Sequence, residues 1–541
     1  MFLSERVFKN LDLDYIFGRL TVYTPYGEAM KKSMKPYLPC DREALETELD
    51  RIEKMIFLIE KDRYTFVEMR TLLKHIKDLR GSFRRVEEQI PLNLVELFEI
   101  KTFTGLLEKL SGYQAKLKWD WPEDLQIQAI PALKKLLDPQ ESGIHTFYIY
   151  DEYSENLKGL RETMRQVEAE INREKIRKRD QVQEQLNIKI RANGEITVNK
   201  HNKALIDMIE NCEGLIYSSE TYMNITYKIK MDVRVEELLK RLEELKLQEE
   251  QEEFKVRQFL TEEIGQHLEG LYHNIRAIGA LDLLMAKAYL AIGMDGVKPL
   301  VTGEETIEIL EGRHIKVEDH LTKQGKAFTP ITLRLKNGVT CITGANMGGK
   351  TVSLKLIGLM TAMAQYGLFV PAKRMCFSPK EYIFFSLGDL QSVDMGLSTF
   401  GAEILEIQRI LQRAEENGLI LIDELARGTN PAEGYAISKA IIEYLKDKAS
   451  TTVITTHFDG LAEMEGVVHL QVRGLAHVDF QLLKQQMQER GILGIDVIHQ
   501  YMDYRLEEIE DERKIPRDAI SIARLMGLQE EILQQAERYL E

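Results

Sequence analysis

The stretch TGANMGGKTVSLK, residues 343–355, limits this chain's fold more than any other. Gly344, Gly349, Lys350 and Thr351 satisfy the spacing G-x-x-x-x-G-K-[ST]. Glycines there let successive backbone N–H groups turn inward onto phosphate oxygens. The lysine adds a point charge, and the threonine hydroxyl adds a ligand for Mg2+. Ordinary glycine-rich turns also meet such spacing, so the flanks decide. GVTCIT (338–343) is a short apolar run rich in β-branched residues, as a buried strand requires. VSLKLIGLMTAMAQYGL follows with helical spacing, and its N-terminus would add a dipole to the loop. This order predicts a phosphate cradle built from Gly344, Ala345, Asn346, Met347, Gly348, Gly349, Lys350 and Thr351.

Three further stretches bear on that cradle. GLILIDEL (418–425) is an apolar strand ending in two carboxylates. Asp423, with Thr351, is placed to hold Mg2+; Glu424 beside it is the natural general base for an attacking water. TTVITTH (451–457) is another apolar strand, and it ends in His457. That histidine would sense a terminal phosphate or position the water, or be structural only. LSTFGAEI (397–404) opens a helical run. Ser398 and Thr399 suit an N-cap. Equally, Ser398, Thr399 and Phe400 would point at a phosphate across a dimer interface. Both readings stand at this level.

The organisation around these motifs is mixed. Residues 276–480 alternate apolar strands with helical segments, which predicts a mainly parallel sheet with helices on its faces. Residues 1–150 read as a helical region, with Asp41 as N-cap of a helix over 42–62 and a short helix at IQAIPALKKLLD. From 151 to 275, Leu157, Leu160, Met164, Val167 and Ile171 keep 3- and 4-residue spacing. Val235, Leu238, Leu242 and Leu245 repeat it. Two antiparallel helices of roughly 50 Å would make a lever arm. Near 186–231, LNIKIRANGEITVNK alternates around Ala-Asn-Gly and predicts a β-hairpin at the arm's tip. Residues 477–514 read as charged helix.

Charge and composition bound the partners. A net charge of −15 argues against a uniformly basic nucleic-acid binder, though REKIRKRD (173–180) is a local basic run that is either a contact patch or a solvated face. The four cysteines show no metal-ligand pairing and suit a reducing compartment. Charges interrupt the N-terminal apolar residues, and no run of 18 uncharged apolar residues occurs, so a cytoplasmic chain with no membrane partner is expected.

Together TGANMGGKT, LSTF, LILIDELARGTNPAEG and TTHF resemble the MutS family in order and spacing. LLMAKAYLAIGMDGVKPLV, EGRHIKVED and the helical N-terminal stretch extend the resemblance over nearly the whole chain. The wording GGKTVSLKLIGLMTAMAQYGLFVPA is nearest the paralogue branch linked to suppressing recombination. The resemblance implies an α/β, ABC-like P-loop ATPase joined to a mostly α core and lever with a small β tip. It implies ATP and Mg2+ as cofactors and a homodimer with composite sites, with 481–541 as the helical C-terminal dimerisation segment. Gly344 to Thr351 would bind ATP, Asp423 and Glu424 would be the Walker B pair, and His457 the switch residue. Ser398, Thr399 and Phe400 would complete the partner's site. The chain departs from the family at Ala345 (usually Pro), Ala426 (usually Gly) and Ile315 (usually Pro). It is also expected to lack the mismatch-reading domain and the C-terminal nuclease-like domain. Two functions follow: an ATPase that clamps structured or duplex DNA in repair or recombination, or an ATP-driven remodelling factor for a protein partner, such as a cobalamin-dependent aminomutase.

Overall fold

The computed structural model describes residues 1–140, 147–344, 349–387, 399–426, 429–458, 460–474, 503–509, 520, 523–524 and 528–540. The chain divides into two compact units, one of Met1–Lys74 with Ile278–Glu541 and one of His75–Ala277.

The first unit opens with α1 (Glu5–Asn10), α2 (Leu13–Arg19), α3 (Pro25–Lys32), α4 (Arg42–Lys61) and α5 (Arg63–Leu73). Side-chain caps set several starts. Ser4 accepts from the Val7 N–H, and Thr24 accepts from the Gly27 N–H with Pro25 at the first helical position. Asp41 does occupy the N-cap of α4, but its carboxylate does not cap the helix; it turns back to accept from the Leu38 N–H at 3.0 Å.

The second unit holds α6 (Arg80–Glu87), α7 (Leu94–Lys116), α8 (Pro131–Leu137), α9 (Glu155–Leu186), β1 (Glu195–Asn199), α10 (Lys203–Glu210), β2 (Leu215–Glu220), β3 (Asn224–Ile229) and α11 (Val233–Gly265). Helices α9 and α11 run antiparallel. Met164, Val167 and Ile171 meet Val235, Leu238, Leu239, Leu242 and Leu245 in one apolar seam. Arg161 locks one end of the pair, donating to Glu249 at 2.8 Å, Glu253 at 2.7 Å and Asp151 at 2.6 Å.

The tip corrects the expected hairpin. Helix α9 continues through Leu186, and the Asn193–Gly194 turn closes no strand pair. Instead β1 pairs antiparallel with β3, which pairs antiparallel with β2, giving the order β1-β3-β2. Ile196, Val198, Leu215 and Tyr227 pack with Ile209 of α10 and with Val182 and Leu186 of α9. A lone hairpin would have left those apolar side chains in water; a third strand and a helix bury them.

Helix α12 (Leu268–Gly293) leads back to the first unit, which continues with β4 (Leu300–Val301), β5 (Thr306–Gly312), α13 (Ile315–Lys323), β6 (Ile331–Lys336), β7 (Gly338–Thr343), α14 (Lys350–Gln365), β8 (Arg374–Phe377), β9 (Ile383–Leu387), α15 (Thr399–Leu411), β10 (Leu419–Asp423), α16 (Pro431–Leu445), β11 (Thr451–Thr455), β12 (Val467–Gly474), β13 (Asp503–Glu508) and α17 (Glu530–Leu540). The main sheet has the order β13-β12-β7-β11-β10-β9, parallel throughout except for antiparallel β13. Every residue of β7 and of β11 is buried, as central strands covered on both faces require. A smaller sheet, β4-β8-β5-β6, is mixed. Helix α14 passes close under the main sheet. A Cβ on Gly358 would come within 2.5 Å of Leu11 and 2.8 Å of Leu421, so only glycine lets the helix approach both.

The described part of 477–514 is strand, not helix. Residues 503–508 add to β12 as an edge strand, because the free edge of β12 offers backbone hydrogen bonds that outweigh the helical preference of charged residues. The rest of that segment lies outside the described residues.

Candidate functional site

In an open sheet with parallel strands, ligands gather where the strand carboxyl ends meet. Here β7, β11 and β10 are neighbours, so the ends at Thr343, Thr455 and Asp423 lie side by side. After Thr343 the chain enters the glycine-rich loop, of which Gly344 and Gly349 are described, with φ of 131° and 82°. Both values are open to glycine and costly for other residues. Ala345, Asn346, Met347 and Gly348 lie outside the described residues. Gly349 is the N-cap of α14, which aims the helix's first N–H groups at the loop.

Lys350, the first residue of α14, is almost wholly buried, and its ammonium donates to the Gly344 carbonyl at 2.8 Å. The same Nζ lies 4.0 Å from Glu424 Oε1. Thr351 Oγ1 donates to Asp423 Oδ2 at 2.7 Å, and Thr455 Oγ1 donates to the other oxygen, Oδ1, at 2.6 Å. The Glu424 N–H in turn donates to Thr455 Oγ1 at 2.9 Å. The end of β11 therefore sets both carboxylates on β10. His457, just past β11, is half exposed, with Nδ1 3.9 Å from Glu424 Oε1.

This brings Lys350, Thr351, Asp423, Glu424 and His457 into one cluster. The described part of the 398–400 segment does not join it. Phe400 packs against the apolar core beneath β10 in its own chain; Ser398 and the Thr399 side chain lie outside the description.

A hydroxyl and a carboxylate side by side are a hard-oxygen donor pair of the type Mg2+ takes. The described site residues thus fit a magnesium nucleotide: the first amides of α14 and a buried ammonium for phosphate, Thr351 and Asp423 for the metal.

Residues 340–541, which begin inside β7 and contain the whole cluster, match MutS domain V. The chain belongs to the MutS family. Its relatives in the MutS family include endonuclease MutS2 of Halothermothrix orenii, 29% identical over 441 residues, covering 78% of this chain and 53% of that protein. Endonuclease MutS2 of Caldanaerobacter subterraneus subsp. tengcongensis is 26% identical over 556 residues, 99% of this chain and 64% of the relative. Endonuclease MutS2 of Aquifex aeolicus is 30% identical over 473 residues, 84% and 58%. This MutS-family chain thus matches between 53% and 64% of the length of those curated relatives. These relatives are all MutS2 proteins, in line with the family resemblance drawn from the residues.

Sequence reasoning missed two neighbours of the MutS-type cluster. Tyr504 on β13 lies against the loop: a Cβ on Gly349 would stand 3.1 Å from its ring. No local signal announced it, since the contact depends on an edge strand joining far from the motif. Glu403 on α15 is buried and accepts from the Ala426 N–H at 2.9 Å. A signal existed here: 403, 407 and 410 share one helical face, and the other two are Ile407 and Ile410 of the core.

Proposed function

We propose that the chain is a MutS-type, Mg2+-dependent ATP hydrolase that works on DNA as a homodimer. One observation carries the reading: Lys350 and Thr351 at the start of α14 meet Asp423 and Glu424 at the end of β10. Gly344 to Thr351 bind the phosphates of ATP, and the Lys350 ammonium neutralises their charge. Thr351 and Asp423 hold Mg2+, which would supply charge stabilisation on the transferring phosphoryl group. Glu424 takes the proton from the attacking water. His457, within reach of Glu424, holds the water's position or responds to the terminal phosphate. Ser398, Thr399 and Phe400 complete the site of the partner subunit. The core of the first unit, the helix pair α9–α11 with its tip, the ATPase unit and the C-terminal dimerisation segment are taken as its working parts.

Two observations support DNA as the partner. The curated relatives are named endonucleases. Arg173, Lys175, Arg177, Lys178 and Arg179 lie on the stretch of α9 between its buried residues Ile171 and Val182, each of them exposed or half-exposed. Phosphate contacts from such a stretch carry no sequence information, so binding is selective for DNA structure and sensitive to salt. Among the described residues, no helix is long and apolar enough to cross a membrane, and a cytoplasmic setting fits.

The test is ATP turnover and DNA anisotropy on one preparation, with duplex, single-stranded and four-way-junction DNA across a salt series. Salt-dependent binding that shifts with ATP, with stimulated turnover, is the expected result. Hydrolysis with no DNA response transfers the reading to remodelling of a protein partner. No hydrolysis overturns it.

A further inference from the structure

Glu424 and Ala426 are both non-glycine residues held in the left-handed region, with φ of 53° and 59°, on either side of Leu425. Side chains with a Cβ resist that conformation, so it persists only where the surroundings hold it. The turn has such restraints. The Glu424 N–H donates to Thr455 Oγ1 at 2.9 Å, and the Leu425 carbonyl accepts from Ser438 Oγ at 3.3 Å. Gly434 lets α16 approach closely: a Cβ there would stand 2.9 Å from the Ala426 carbonyl. The remaining hold comes from α15, where Glu403 Oε1 accepts from the Ala426 N–H at 2.9 Å.

Glu403 is an unusual choice for that task. It is 3% exposed, sits on the apolar face of its helix, and pairs with no basic side chain among the described residues. Burial raises its carboxyl above the ordinary range, and nearby Glu406 adds to this. An aliphatic residue would pack there at less cost. What the carboxylate offers is an acceptor for one backbone N–H in a strained turn.

We infer that Glu403 is a positioning residue for hydrolysis: by holding the Ala426 N–H it keeps the left-handed turn that aims Glu424 into the phosphate site. The inference rests on reading Glu424 as the general base. It has a consequence for the dimer. Helix α15 begins at Thr399 and carries both Phe400, packed against the apolar core that includes Leu425 and Ala426, and Glu403, so a shift at its start reaches the Glu424 turn through that packing and this hydrogen bond. On the reading that 398–400 completes the partner's site, nucleotide in one subunit then tunes the base in the other.

The experiment compares wild type, Glu403→Ala, Glu403→Gln, Glu403→Asp and the double variant Glu403→Ala/Ala426→Gly. Thermal midpoint, affinity for a non-hydrolysable ATP analogue, and kcat are measured on each. Glu403→Ala binds the analogue as wild type does, while kcat falls between about 10- and 100-fold, as for a misplaced catalytic group. Glu403→Gln keeps the acceptor and most of the rate. In the double variant, glycine adopts the left-handed turn without the tether and kcat recovers. Should Glu403→Ala fail to fold, Glu403→Asp withdraws the carboxylate by one methylene in a packed protein and lowers kcat alone. Wild-type kcat in both Glu403→Ala and Glu403→Asp overturns the inference. So does a loss of affinity and kcat in equal measure that Ala426→Gly does not relieve. A wild-type chain without turnover, unchanged by Glu424→Gln, overturns instead the ATPase reading beneath it.

Discussion

Thr351 Oγ1 lies 2.7 Å from Asp423 Oδ2, although 72 positions separate them in the chain. The contact joins the first turn of the helix after the glycine-rich loop to the last residue of a strand two places away in the sheet. Asp423 also takes the Thr455 hydroxyl, so one carboxylate gathers two elements.

Asp423→Asn removes the negative charge and leaves the shape. Turnover should fall by roughly two orders of magnitude, equivalent to ~3 kcal/mol of transition-state stabilisation, and half-saturation by Mg2+ should move to higher concentration. A magnesium titration of the ATPase rate checks this. An unchanged magnesium curve would remove Asp423 from the metal site.

Lys350→Ala and Glu424→Gln separate binding from chemistry. The first deletes a buried ammonium that sits inside the loop, so nucleotide affinity should drop sharply. The second should leave affinity near wild type and cut turnover by about 10²- to 10⁴-fold, the usual range for a general base. Equilibrium binding of a fluorescent nucleotide and single-turnover hydrolysis provide the two readings. Wild-type turnover in Glu424→Gln would exclude it as the base.

Lys380 makes stability depend on pH far from the site. It is fully buried and donates to Asn417 Oδ1 at 2.7 Å and Thr451 Oγ1 at 2.9 Å. Burial pushes its ammonium down from the ordinary 10.5 to about 8. Between those two values the unfolded chain binds the extra proton, so stability rises with pH there; below about 8 the cost of burying the charge is present in full. Lys380→Met should flatten that rise. Urea midpoints at intervals from neutral to alkaline pH measure it, and an equally steep rise in the variant would mean another group is responsible.

The α9–α11 seam should be sensitive at Leu238 and indifferent at Leu247. Leu238 is 2% exposed and faces α9; Leu247, on the same helix, is 56% exposed. Leu238→Ala should cost ~2–5 kcal/mol and Leu247→Ala under ~1 kcal/mol. Hydrogen exchange over 155–186 and 233–265 localises the loss; equal effects of the two variants would contradict the seam.

Where one periodicity dominates, the residues announced the element. GVTCIT is β7 from first residue to last, because a strand covered on both faces has to be apolar throughout. The 3- and 4-residue spacing of Met164, Val167 and Ile171 is the seam itself. Alternation misled at 186–200. Ile188 and Ile190 do alternate with polar residues, but no strand stands opposite them; they pack around the tip core instead. Alternation shows that one face is buried and leaves the partner open. The short strand 503–508 was illegible for a related reason: its charged residues favour helix locally, and only the free edge of β12 makes them a strand.

By itself, then, the amino-acid sequence determined the family, the loop between strand and helix, and which strands end in carboxylates and histidine. These are properties of short windows, set by side-chain chemistry and spacing. The tertiary structure decided that Thr351 meets Asp423, that Tyr504 lies against Gly349, and that a carboxylate on α15 holds the Ala426 N–H. Each depends on which strand neighbours which and on how closely two helices approach. The turn at Ala426 goes against the residue's own backbone preference, so no local rule would place it there. It exists because non-local hydrogen bonds and packing outweigh that preference once the sheet is assembled.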